Sequence, residues 1–323
     1  MSRASTFEWL KGKIAKLKEF TNRLVEASGM HYAAHTWTAL KLIALMWWVD
    51  VYTRIIPKYR RAYWYVDLLA GSGTNYIKET GDIIVGSPFI AYFFAHESFK
   101  RYVFMEKDRK RASALMRRAS CIGIPDLVDV CIGDCNELIT RIGLDRADHV
   151  LAFIDCEGLD VAWDTVAYLL RKPSWSDVII VFQTQALQRT LGRALKGRSD
   201  ERTLTRFMGD KRWQDARNAD ELLQLYMNRL REFRDYVESI RVRGEYSLDI
   251  ILACRQGDYT SAWDYLRRKF NYITSRDAEL ALRICKGELR ALNEFFPDLQ
   301  RKLTDFLYER ESSEKTASGR AMM

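Results

Sequence analysis

The amino-acid sequence predicts an α/β fold: a mostly parallel, Rossmann-like sheet ending in an antiparallel hairpin, with helical additions at the amino end, within the chain and at the carboxyl end. Three observations predict it. A strongly apolar strand at 63–68 delivers an acid and two glycines to its carboxyl end, in the run Asp67-Leu68-Leu69-Ala70-Gly71-Ser72-Gly73. Further apolar strands then alternate with stretches of helical periodicity. Each of these strands runs into polar residues, as expected where strands are buried on both faces and their tips form a site.

The elements follow in order. Residues 7–28 carry Phe7, Leu10, Ile14, Leu17, Phe20 and Leu24 at helical spacing, with lysines on the other side. Residues 35–52 read as a second helix, apolar nearly all round and therefore buried. Pro57 ends it before the strand at 63–68. Residues 74–85 are polar and without clear periodicity, and read as a loop that gates or shapes a cleft. Helical spacing resumes at Gly86-Ser87-Pro88, with Ser87 as N-cap and Pro88 at the first helical position. Strands are expected at 101–105, 127–131, 149–154 and 178–182, with helices at 107–119, 135–142 and 161–171 between them. A basic helical insertion occupies 185–236. Strands at 236–243 and 246–254 follow, joined by a turn at Gly244-Glu245 and so antiparallel. A helix at 261–270, a last amphipathic helix near 276–309 and a frayed tail at 312–323 complete the chain. This divides it into an amino-terminal helical region (1–56), an α/β domain (57–275) and a carboxyl-terminal helix with tail (276–323).

Composition sets the bounds. The chain has 323 residues, enough for one large domain with additions, and 51 basic against 43 acidic side chains give a formal charge of +8. Such an excess favours anionic partners. It is concentrated in three tracts: Arg54 to Arg61, with Tyr59 among the cations; Lys107 to Arg118; and Arg189 to Arg212, which includes Arg193, Lys196, Arg198, Arg202 and Arg206. Basic tracts with aromatic neighbours can follow a phosphate backbone and stack on bases, and they can equally be solvated helix faces. The longest uncharged apolar run, 42–49, is too short to cross a bilayer, and the lysine-rich amino end has no cleavable apolar segment, so a cytoplasmic protein away from membranes is expected. The six cysteines, Cys121, Cys131, Cys135, Cys156, Cys254 and Cys285, contain no CxxC pair, and the four histidines do not complete a zinc set. Neither disulfides nor a metal site is expected.

Acids fall at four successive strand tips: Asp67, Glu106, Asp134 and Asp155. In an open α/β sheet, ligands occupy the crevice beyond those tips. The missing third glycine argues against a dinucleotide site, whereas acid-x-x-x-Gly-x-Gly after an apolar strand looks like the first motif of S-adenosylmethionine (SAM) methyltransferases. Glu106 suits a ribose, since a carboxylate accepts from both hydroxyls of a cis-diol. Gly133-Asp134 with Cys135 suits the adenine amine, Ala70, Gly71, Ser72 and Gly73 the methionine portion, and Asp67 an ammonium or the ordering of the glycine loop. Asp155 and Glu157 are the candidate catalytic acceptor and base. Gln183, Gln185 and Arg189 are candidates to line the substrate side and hydrogen-bond a base or phosphate. Cys156 has no identifiable His or Arg partner as a nucleophile.

Over roughly 35–275 the chain resembles the three-Cys-motif partner proteins, TcmP. The matching pieces are the Asp67 to Gly73 loop, Gly86-Ser87-Pro88, Phe104-Met105-Glu106, Gly133-Asp134, Phe153-Ile154-Asp155, Phe207-Met208-Gly209 with Trp213, and Tyr246-Ser247-Leu248. The resemblance implies a class I SAM methyltransferase-like domain whose partner is a separate protein bearing three cysteines, of the kind likened to radical-SAM proteins. It departs at the fourth strand tip, where the family has Asp-Pro-Phe-Gly and this chain has Asp155-Cys156-Glu157-Gly158. Three readings stay open at this point: a SAM-dependent methyltransferase acting on DNA or RNA, a non-catalytic partner subunit of the three-Cys protein, and a small-molecule methyltransferase.

Overall fold

The computed structural model describes residues 3–171, 176–197 and 200–288. Its centre is a seven-stranded sheet of order β6-β5-β2-β7-β8-β10-β9. The strands are β2 (Tyr63–Asp67), β5 (Arg101–Glu106), β6 (Val128–Ile132), β7 (His149–Ile154), β8 (Ser176–Phe182), β9 (Tyr236–Val242) and β10 (Leu248–Cys254). β10 alone runs against the rest, pairing antiparallel with both β8 and β9. The expected mostly parallel, Rossmann-like sheet with its antiparallel hairpin is therefore present. β2, β7, β8 and β10 are buried along their whole length, which is why they read as unbroken apolar runs. From β2 the chain winds outward to β5 and β6, then returns to place β7 on the other side of β2. The junction of β2 and β7 is the switch point where a doubly wound sheet opens a crevice.

Helices α4 (Ser87–Phe93), α5 (Arg109–Cys121), α6 (Cys135–Leu138), α7 (Trp163–Arg171), α8 (Thr184–Ala194), α9 (Glu201–Met208), α10 (Ala219–Arg231) and α11 (Ser261–Phe270) connect the strands. α1 (Arg3–Glu19), α3 (Trp37–Ile55) and α12 (Ser275–Lys286) share one core with Tyr63, Tyr65, Leu151 and Ile250 on one face of the sheet. The insertion α8–α10 closes the other face, where Phe207 stacks on Tyr226 at 5.2 Å and both rings meet Phe182.

Several expectations are corrected. The single helix at 7–28 is two, α1 and α2 (Thr21–Ala27), broken at Phe20, whose ring stacks on Phe93 at 4.4 Å. The loop at 74–85 is an antiparallel pair, β3 (Thr74–Ile77) and β4 (Ile83–Val85), and β1 (Tyr32–Ala34) adds to β3 in parallel to make a second, three-stranded sheet. Ser87 is not the N-cap of α4. Gly86 is, because its amide donates to the Gly73 carbonyl at 2.8 Å and a Cβ there would lie 2.7 Å from the Gly73 backbone. α6 is one turn rather than the expected two. α12 ends where Gly287 turns left-handed (φ 82°), and the rest of the expected helix, 289–309, and the expected tail at 312–323 lie outside the described residues. No helix of the described residues is long and apolar enough to cross a membrane.

Candidate functional site

A cleft of about 350 Å³ opens at the carboxyl ends of β2, β5, β6, β7 and β8. Ala70, Gly71, Ser72, Gly73, Glu106, Asp134, Cys135, Asp155, Glu157 and Gln183 all line it. Three predicted residues do not. Asp67 is wholly buried beneath the loop, where its carboxylate accepts from the Leu69 amide at 3.3 Å and the Tyr65 hydroxyl at 3.2 Å. Burial pushes its carboxyl up to about 7, so it acts on the loop from below. Gln185 and Arg189 stand behind Tyr246: Gln185 exchanges hydrogen bonds of 3.1 Å with the Ser247 backbone, and Arg189 reaches the Tyr246 hydroxyl.

The glycine loop is shaped by packing as much as by any ligand. Gly71 (φ 63°) needs its left-handed backbone, and a Cβ there would meet nothing nearer than the Tyr32 ring at 3.7 Å. Gly73 (φ 88°) is excluded from bearing a side chain by the Phe89 ring, 2.3 Å from the site of a Cβ. Arg118 locks the loop from behind. Its guanidinium is fully buried and donates to the carbonyls of Leu24 (2.8 Å), Ser28 (2.6 Å) and Ser72. An arginine from a basic tract is thus a structural clamp.

Going round the cleft, Glu106 accepts from the Asp108 amide at 2.8 Å. Asp134 caps α6 through the Asn136 amide at 2.8 Å, and the Asn136 side chain reaches the Asp160 carbonyl at 2.9 Å, tying the tip of β6 to the segment after β7. Cys135 and Cys156 are buried, and burial pushes both thiols up to about 12, so neither is a thiolate nucleophile near neutral pH. Glu157 meets the Tyr32 hydroxyl, and burial together with that carboxylate drives the phenol well above its ordinary range. Gln183 donates to the Cys156 carbonyl at 2.7 Å.

Sequence reading missed Lys41. It sits in the middle of α3, and its ammonium spans both Asp155 oxygens at 2.8 and 2.6 Å, with side-chain exposures of 8% for Lys41 and 18% for Asp155. A lone lysine among Leu40, Leu42 and Ile43 was the available signal, because a buried ammonium needs an anionic partner. Also missed were His35, Trp37 and Tyr246, whose rings stack along the cleft wall.

Residues 74–86 contribute Thr74, Asn75, Lys78 and Gly86 to the cleft wall and are tied to the surrounding elements. Lys18 pairs with Asp82 at 2.6 Å, Arg283 and Lys286 donate to the Glu79 and Thr80 carbonyls, and His31 meets the Thr74 hydroxyl at 2.8 Å. The basic tracts divide by position. Arg54 to Arg61 precedes β2 and lies at the amino ends of the strands, away from the cleft, with Tyr59 74% exposed. Lys107, Arg111 and Arg206 line the cleft, whereas Arg193 and Arg212 pair with Asp200 and Asp210. Arg198 lies outside the described residues. With Lys41 and Lys78 added, the cleft's cations match the five acids Glu106, Asp134, Asp155, Glu157 and Asp160, so its lining carries no net charge. No metal-binding cluster of His, Cys, Asp or Glu occurs among the described residues.

No protein-family model matches the chain, and no curated protein does. Among solved structures, the chain is similar to a Legionella pneumophila protein at 13% identity, covering 72% of this chain and 91% of that one, with a TM-score of 0.45. It is similar to the O-methyltransferase TomG of Streptomyces achromogenes, solved with SAM, at 14% identity over 73% and 90% of the two chains (TM-score 0.42). An O-methyltransferase of Bacillus cereus, solved with SAH, is 13% identical over 78% and 91% (TM-score 0.41). Such distant likeness is silent on substrate, which has to come from the residues of this chain.

Proposed function

We propose that this chain binds SAM across the tips of β2, β5 and β6 and transfers its methyl group to a nucleic acid. The observation that carries the reading is convergence: four consecutive parallel strands bring Gly71 to Gly73, Glu106, Asp134 and Asp155 to one cleft at the switch point. The residues fit such a cofactor. Gly71 leaves backbone open to a ligand, Glu106 offers a carboxylate suited to a ribose diol, and Asp134 with Cys135 offers acceptor and backbone suited to an adenine edge. SAM, when bound, supplies an activated methyl group, so the protein's work is alignment and, where the acceptor needs it, removal of a proton. Asp155 and Glu157 are the groups placed to accept a hydrogen bond from the acceptor, Asp155 with its geometry fixed by Lys41.

The formal charge of +8 supports an anionic partner for the chain as a whole, while the charges lining the cleft balance. Glu106→Gln tests the cofactor assignment with little loss of shape. SAM affinity measured by calorimetry should fall about tenfold or more, the scale of one charge-assisted hydrogen-bond pair. Unchanged affinity would remove Glu106 from the site.

A second reading is favoured by the β7 tip, where Asp155 is held in an ion pair and neither proline nor ring follows it. In it the chain keeps the cofactor scaffold and serves as the partner subunit of a three-Cys-motif protein. Incubation of labelled SAM with mixed DNA and RNA separates the two. Methyl incorporation abolished by Asp155→Ala supports catalysis, while bound SAM without incorporation supports the partner role.

A further inference from the structure

The part of the cleft beyond β7, which the cofactor assignment leaves unused, is walled by rings. His35 stacks on Trp37 at 4.3 Å and 12°, and Trp37 on Tyr246 at 5.2 Å and 19°. The three come from the turn after β1, the first residue of α3 and the turn before β10. Because Trp37 is covered on both faces, the column can accept another ring only at its ends. At the His35 end Glu79 and Lys78 engage the imidazole through its edge nitrogens, at 2.6 Å on Nδ1 and 3.4 Å on Nε2, so that end is bracketed by two charged groups. Tyr246 heads the other end, which comes from the turn joining β9 to β10, beside β8 whose tip carries Gln183. Two residues that do not themselves line the cleft brace Tyr246: Gln185 grips the Ser247 backbone with both its amide and its side chain, and Arg189 meets the phenol. A tyrosine whose hydroxyl meets Arg189 and the Ala186 backbone, and whose neighbour Ser247 is held through its backbone, presents its ring with less entropy to lose.

We infer that this column, headed by Tyr246, is the stacking platform for a nucleobase of the methyl acceptor, with Gln183 and Asp155 as the polar groups on the same stretch of cleft. The inference rests on SAM occupying the β2–β5–β6 half. Stacking suits a lining whose charges balance, since a π-face binds without needing a net field, and Gln185 and Arg189 become positioning residues acting through Tyr246.

The test is calorimetric titration of the full chain, loaded with S-adenosylhomocysteine, with the four nucleoside 5′-monophosphates and with mixed-sequence single-stranded DNA and RNA, at low and high salt. Tyr246→Ala should weaken binding about tenfold or more, as expected for one stacked base, and the loss should persist at high salt because stacking releases no counterions. Tyr246→Phe, which keeps the ring and drops the Arg189 contact, should stay within about threefold of the parent on the same scale. Both variants should hold S-adenosylhomocysteine as the parent does. Preference for oligonucleotides assigns the base to a polynucleotide and preference for monophosphates to a free nucleotide, and either supports the platform. The inference is overturned if neither probe binds the parent, if Tyr246→Ala binds as the parent does, or if Tyr246→Ala loses S-adenosylhomocysteine, which would give the ring to the cofactor. If the parent fails to bind S-adenosylhomocysteine, the cofactor reading falls, and the same titration of the unloaded chain decides the platform by itself.

Discussion

Lys41→Met should destabilise the fold by an amount set by where Asp155 is left. The methionine keeps the apolar length of the side chain inside α3, so the loss is electrostatic. Breaking a fully buried pair from one side costs about 3–5 kcal/mol, and an exposed pair contributes about 0–1 kcal/mol. With exposures of 8% and 18%, the Lys41–Asp155 pair lies nearer the buried limit, and Asp155 without Lys41 would share the cleft with Glu157 and Asp160. A discounted cost of about 2–4 kcal/mol follows, or a melting point lower by about 4–8 °C at roughly 2 °C per kcal/mol for a chain of this size. Asp155→Asn should cost a similar amount by stranding the ammonium. The double variant should recover most of it, because two neutral partners of unchanged shape leave no buried charge. Urea unfolding of the four proteins gives the coupling energy directly. Two small, additive single effects would show that the contact contributes nothing to stability and that Asp155 is not held by Lys41.

Two further expectations concern the loop. Asp67 has a folded-state pKa near 7 against an ordinary value of 3.8, so between those pH values the folded chain binds the extra proton and stability falls as pH rises through the window. Asp67→Asn should therefore gain on the parent by up to a few kcal/mol at pH 8 and little at pH 4, read by urea unfolding, and a pH-independent difference would contradict the assignment. Asp177, raised for the same reason, gives the parent a residual slope of the same sign. Arg118→Lys keeps a charge but cannot serve three carbonyls in a fixed fork, so it should cost more than about 2 kcal/mol and lower SAM affinity through a loosened glycine loop. Parent-like melting and affinity together would refute the clamp.

What the sequence disclosed follows from the geometry of strands and helices. β7 and α11 match their expected ranges residue for residue, because a long apolar run between turn residues admits few alternatives. The acids at the strand tips were legible for the same reason: the end of a parallel strand fixes where the next side chain must be. Arg118 was hidden by its neighbours in a basic tract, though it lies three residues after Leu115 on the helix face that also buries Ala112 and Ala119. β1, β3 and β4 were illegible because strands of three or four residues show no usable alternation, and the pairing of β1 with β3 is not local in sequence. The aromatic column has the same cause, being assembled from residues far apart in the chain that share no motif.

The side chains at the β7 tip are engaged within the chain itself. Asp155 is engaged by Lys41, the Cys156 thiol points into the core toward the Val181 carbonyl at 3.8 Å, and Glu157 is taken by Tyr32. Each of these contacts ties the tip to a neighbouring element. Two of the three partners, Lys41 and Tyr32, belong to the first fifty residues, as do His35 and Trp37 of the aromatic column. The amino-terminal helices therefore do more than cover one face of the sheet: they supply a cation, a phenol and two rings to a cleft whose other half is built by the strand tips. A chain lacking residues 1–56 would keep Gly71, Glu106 and Asp134 yet lose that wall and the counter-ion of Asp155 together, so on the proposed reading the cofactor side and the acceptor side of the cleft come from segments that meet only in the folded chain.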